Sequence, residues 1–148
     1  MARGNPAQKN KIVPCLAGAI TASANGKSID RLGWNELAFV YQFGTTTTGT
    51  SGTVTLSLED SADDSSFTAI SGAATSALST DSGGQNAKRV CIRLLNLGGV
   101  RRYVRAVITI AGTASTGATG PQNNAGALIL GDPAVTLDNT AFDTMVSV

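Results

Sequence analysis

Val54-Thr55-Leu56-Ser57-Leu58-Glu59 alternates apolar and polar side chains without a fault. Side chains on an extended strand point to opposite faces in turn, so such a run buries one face and wets the other. The pattern recurs along the chain. Leu37, Phe39, Tyr41 and Phe43 share one side of 37–43, and Val90, Ile92 and Leu94 share one side of 88–97. The stretch 101–110 is rich in β-branched residues. Phe67–Ile70, Ala127–Leu130 and an irregular extended stretch through Ile12, Val13 and Leu16 complete the set. Turn signals separate these runs: Asn25-Gly26, the Thr/Gly segment 44–52, the acidic turn 60–66 and Gly98-Gly99. About six to eight strands and no long helix predict an all-β chain, an antiparallel β-sandwich of jelly-roll-like or immunoglobulin-like form. Within it, 88–97 and 100–110 are expected to pair as a hairpin, and Ala73–Leu78 has room for one helical turn.

At 148 residues the chain fits one domain with one core. The sandwich is expected over 12–131, with a basic N-terminal arm over 1–11 and a C-terminal arm over 132–148. Ala, Gly, Thr and Ser make up 69 of the 148 residues, and 14% are charged, against ~25% in typical soluble domains. Small side chains bury little area each, so contact with neighbouring subunits is expected to add to stability. The polar, basic start and an apolar segment broken by Pro14 and Gly18 do not make a signal peptide, so export is not expected. No apolar run approaches the ~20 residues of a membrane helix.

The composition also narrows the chemistry. With no histidine, the usual Ser-His-Asp and Cys-His arrangements and histidine-ligated metals are out of reach. Cys15 and Cys91 lie far apart in apolar runs and read as buried thiols. Glu36, Glu59 and Asp60 are available as acids, but no spacing singles out a pair. The turn 59–66 lacks the glycine and the closing glutamate of a calcium loop, so it reads as turn chemistry. The glycine-rich loops match no phosphate cradle. No enzyme, cofactor or metal site is expected.

What remains is surface. Lys88, Arg89, Arg93, Arg101, Arg102 and Arg105 place six of the eleven cations within 18 residues. Tyr103 alone stands among them as a stacking partner, too few for a nucleic-acid platform. With a net charge of +1, no overall field draws the chain to nucleic acid or anionic lipid. The set reads as salt-bridging or subunit contact, for which planar arginine forks are suited. The two ends are oppositely charged, with Arg3, Lys9 and Lys11 in the first and Asp132, Asp138 and Asp143 in the second. Both hold scattered apolar residues and read as frayed termini, with ordering against neighbouring subunits in an assembly as the alternative. The candidate interface set is therefore Arg3, Lys9, Lys11, Arg89, Arg93, Arg101, Arg105, Phe142 and Met145. Trp34 and Tyr41 read as core, with sugar stacking in a carbohydrate-binding module as the alternative.

The order of features carries a resemblance. Gly33-Trp34-Asn35-Glu36-Leu37 runs into an aromatic strand, and a Thr/Gly loop leads to Val54–Ser61. Then come Asp63-Asp64, Phe67–Ile70, Arg102-Tyr103-Val104-Arg105-Ala106 and Ala127–Pro133. Over about residues 29–133 this resembles the small β-sandwich virion proteins of tailed bacteriophages, notably capsid decoration (cement) proteins. Related sandwiches serve in necks, tails and fibres. The resemblance implies a non-enzymatic role on the outer capsid surface. It implies a homo-oligomer, often a trimer, bound to the major capsid protein and holding the expanded shell against internal DNA pressure. It carries over no functional residues.

Overall fold

The computed structural model describes residues 11–18, 20, 22–44, 52–80, 84–85, 87–112, 124–131 and 142–148. In chain order the strands are β1 (Lys11–Gly18), β2 (Ala24–Asn25), β3 (Ile29–Asp30), β4 (Glu36–Gln42), β5 (Thr53–Ser61), β6 (Thr68–Ala74), β7 (Leu78–Ser79), β8 (Arg89–Leu94), β9 (Tyr103–Ala111), β10 (Asn124–Gly131) and β11 (Thr144–Ser147). They form two sheets. The front sheet has the order β1-β10-β4-β8-β11, and the back sheet runs β2-β9-β5-β6, with β3 beside β9 and β7 beside β5. The pairings are antiparallel except that of β11 with β8, which is parallel. The molecule is a β-sandwich, as the alternation predicts.

The core lies where the inward faces meet. Leu37, Phe39 and Tyr41 of β4 face Val54, Leu56 and Leu58 of β5 across the sandwich, in one cluster with Ile92, Val104, Ile108, Leu128 and Leu130. All of these are 0–2% exposed. Fully burying each such large side chain stabilises the fold by roughly 1.5–3 kcal/mol. Tyr41 meets Phe43 edge-on with ring centroids 5.0 Å apart, so the aromatic strand also packs along itself. Trp34 packs half-buried against this cluster.

One close approach depends on a glycine. Gly126 of β10 stands opposite Tyr41, and a methyl group there would lie 2.9 Å from the Tyr41 ring and 3.0 Å from the Leu16 carbonyl oxygen. A buried amide ties the same corner. Asn124 accepts from Gly44 N at 2.8 Å and donates to the Gly18 carbonyl at 2.8 Å, joining the ends of β1, β4 and β10. Pro14 sits in β1, an edge strand, beside a bulge before Ala17, where a missing amide donor costs least.

Two expectations are corrected. The runs 88–97 and 100–110 do not form a hairpin, because β8 lies in the front sheet and β9 in the back. A 3₁₀ turn at Leu97–Gly99, capped by the Asn96 side chain on Gly98 N, carries the chain from one sheet to the other. Alternation told which face is buried, but both sheets bury a face. The helical turn at 73–78 is absent. Residues 68–74 and 78–79 are strands, and Thr75 between them bonds β5 through Leu56.

Candidate functional site: an arginine and carboxylate cluster at one end of the back sheet

The two long back-sheet strands pair from Thr53 with Ala111 to Ser61 with Tyr103. That register sets Glu59 directly opposite Arg105 on the outer face. Arg105 Nε and Nη2 donate to Glu59 Oε2 at 2.9 and 2.7 Å. Its guanidinium lies 4.1 Å over the Phe67 ring. Opposite charges paired across strands, with a cation over an aromatic face, form a stiff patch.

The neighbouring residues extend it. Asp30 of β3 is opposite Tyr103. Arg102 grips Asp30 with three bonds of 3.2, 3.1 and 2.8 Å and lies 5.3 Å over the Tyr103 ring. The Arg102 bond, helped by the Leu32 amide, holds the Asp30 carboxyl down at about 2. The same pairing raises Arg102. Arg101 donates its amide to buried Asp60 at 2.8 Å, keeps its Nε 3.6 Å from Asp60 Oδ1, and reaches Thr68 Oγ1 at 3.3 Å. Arg31 donates to the carbonyls of Val100 and Arg101 and so clamps the turn that feeds β9. The adjoining turn is built on Asp63, which accepts from the amides of Ser65 and Ser66 and from the Ser61 hydroxyl. Those bonds, led by the Ser66 amide, hold Asp63 far below the usual carboxylate range. Asp64 beside it takes a left-handed φ of 59°, a conformation aspartate tolerates in tight turns.

The arginines single out two places. Arg101 and Arg105 lie in this cluster, together with Arg102. Arg89 and Arg93 stand on the other sheet. Arg93 faces Glu36 at 4.0 Å, and exposed Arg89 uses its backbone to bond Asp143. Lys11 is exposed at the start of β1, Phe142 is half-buried just before β11, and Met145 of β11 is half-buried beside Cys91. Arg3 and Lys9 lie outside the described residues. The stretch 144–147, inside the segment expected as an arm, is an edge strand of the sandwich. Both thiols are free, Cys91 fully buried and Cys15 half-buried, and burial pushes Cys91 up to about 11. Sequence reasoning missed Asp30, Glu59, Asp60 and Phe67 as partners of the arginines. The parity of Glu59 within its strand was visible, but the register that sets it against Arg105 was not.

Among the described residues no three His, Cys, Asp or Glu side chains gather as a metal site. No helix there is long and apolar enough to cross a membrane. The cluster spends its carboxylates on arginines and backbone amides. It offers an ordered surface of mixed charge with aromatic rings beneath it.

No family model and no curated protein sequence matches the chain. Solved structures do. The fold is similar to that of the SPBc2 prophage-derived protein YomS, with a TM-score of 0.51 at 14% identity, over 83% of this chain and 93% of that one. A protein of Bacillus endospore appendages, described as disulfide-linked pili, gives a TM-score of 0.42 at 16% identity, over 88% and 94%. A chain of infectious bursal disease virus, Gx strain, gives 0.39 at 11% identity, over 87% and 33%. At such identities the likeness to YomS is one of fold, and the two weaker ones carry no argument.

Proposed function

We propose that this chain is a non-enzymatic structural protein of a tailed-phage virion. In this reading it is a decoration protein that binds the outer surface of the major capsid protein shell as a homo-oligomer and stabilises it. The observation that carries the reading is a sandwich that shares its fold with a prophage-derived protein over most of both chains. The ordered cluster of arginines, carboxylates and rings supports it. Arg and Tyr are enriched where proteins meet, and side chains already locked in place lose little freedom on docking. Trp34 is half-buried against the core, which favours this reading over a carbohydrate-binding module built on that ring.

The test is co-sedimentation of purified protein with expanded, undecorated phage heads. Saturable binding at a fixed ratio to the shell protein, with heads that then resist heating, is the expected result. Binding to tails or necks instead would move the protein to another part of the particle. A strict monomer that leaves heads bare would remove the assembly role altogether.

A further inference from the structure

We propose that β11 is an exchanged strand: in the assembled protein, the seat beside β8 is filled by residues 143–148 of a second copy of this chain. The proposal rests on the reading that copies stand side by side in an assembly.

The sheet order supplies the first argument. β10 is antiparallel to β4, β4 is antiparallel to β8, and β11 is parallel to β8. β10 and β11 therefore run the same way with two strands between them. A chain leaving Gly131 must return the length of the sheet to begin β11 at the Arg89 end. That is about 20 Å along the strands and about 14 Å across them. The twelve steps from Gly131 to Asp143 span up to about 40 Å when extended. That exceeds the roughly 25 Å that separates the two points, so the chain reaches its own β8 with length to spare for the same edge on an adjacent copy.

The contacts of the seat give the second argument. β11 is held chiefly through the backbone of β8. Asp143 N donates to the Arg89 carbonyl and Asp143 Oδ2 accepts from Arg89 N. Val148 N donates to the Arg93 carbonyl, and the Val148 carbonyl accepts from Leu95 N. Val146 packs on the core, and Met145 lies opposite Cys91. Each contact belongs to β8 and its surroundings, so any copy of residues 143–148 meets the same seat. In dilute solution the tethered strand wins through its high local concentration. Copies held edge to edge present one another's strands at comparable concentration, and exchange then links them without any new surface.

The Met145 and Cys91 pairing makes the test direct. Paired residues on neighbouring strands lie about 5 Å apart, inside the Cα window of about 4.4–6.8 Å that a disulfide requires. The Cys15→Ala/Met145→Cys protein is assembled on heads, or concentrated to its oligomer, and oxidised. Covalent multimers as the main species on a non-reducing gel, collapsing to one band on reduction, are expected. A second arm mixes a Cys15→Ala/Cys91→Ala/Met145→Cys copy with a Cys15→Ala copy, so that a bridge at the seat joins two different chains. Oligomers that yield bridges within single chains alone, and no product in the mixed arm, overturn the exchange and leave the assembly reading standing. The dilute monomer, in which Cys91 and the cysteine introduced at position 145 of one chain bridge at the seat, is the control for oxidation. Oligomers that form no bridge of either kind under the same conditions also overturn the exchange, since β11 has then left the seat on assembly. A protein that stays monomeric and ignores heads sinks the assembly reading, and the exchange with it.

Discussion

Single residues fix this sandwich where strand packs against strand. Gly126 is one such place. Replacing it with alanine drives a methyl into the Tyr41 ring and the Leu16 carbonyl, and one of those neighbours is backbone that cannot step aside. Overpacking of this kind costs about 1–3 kcal/mol. For a chain of this length that lowers the melting midpoint by several degrees. Thermal unfolding of Gly126→Ala measures it, and an unchanged midpoint would show that β10 does not press on Tyr41. Asp30 makes the second case, through pH. Its folded pKa of about 2 lies below the ordinary aspartate value of 3.8, because Arg102 holds the ionised form. A depressed carboxylate adds stability above its unfolded pKa, and that contribution is lost as pH falls through the folded value. Asp30→Asn should therefore flatten the loss of stability between about pH 4 and pH 2. Urea midpoints across that range, in low salt and in high salt, check it. The pair is exposed, so added salt should shrink the difference between the two proteins.

At the scale of elements the two sheets are unequally secured. β5 and β9 pair continuously over nine positions, and the inward Val54, Leu56, Leu58, Val104, Ala106 and Ile108 are fully buried. β11 is a four-residue edge strand with half-buried side chains. Amides within 54–60 and 104–110 should thus exchange hydrogen only on global unfolding, while β11 opens first. Leu95 is the reporter, since its amide is bonded to the Val148 carbonyl and loses protection when β11 leaves. Equal protection at Leu95 and Leu56 would contradict this ranking. The same inequality explains what could be read from the sequence. β4, β5 and β9 were legible because alternation with large inward residues is a local signal. β11 was not, because Thr144-Met145-Val146-Ser147 is short and exposes neither face cleanly. The partition of strands between sheets was not legible either. The residues from Leu94 to Tyr103 suit a hairpin and a crossover equally well, and only long-range register places Glu59 against Arg105. The arginines were therefore visible as a cluster in sequence, and their division between the sheets was not.

For the whole molecule, the decisive electrostatic fact is where the cations spend their charge. Eleven cations face ten anions, and Arg101, Arg102 and Arg105 are each matched within the back-sheet cluster. A nucleic-acid binder works the other way: it leaves lysines and arginines free to displace counterions from phosphates, and its affinity falls steeply with salt. Here the carboxylates occupy the forks that a phosphate would need. The wild-type protein should therefore show no binding to duplex DNA tighter than about 100 µM at physiological salt, and should pass heparin resin at low salt. Removing the carboxylate charges should reverse this. Asp30→Asn with Glu59→Gln frees Arg102 and Arg105 while keeping the shape of each side chain, so the patch turns basic without losing volume. The double variant should elute from heparin at higher salt than wild type and bind DNA with a negative salt slope. Asp30→Asn alone, at an exposed position, should give part of the same shift in a fully folded protein. Tight DNA binding by wild type, or no gain in either variant, would show that the internal pairs do not govern what this surface attracts.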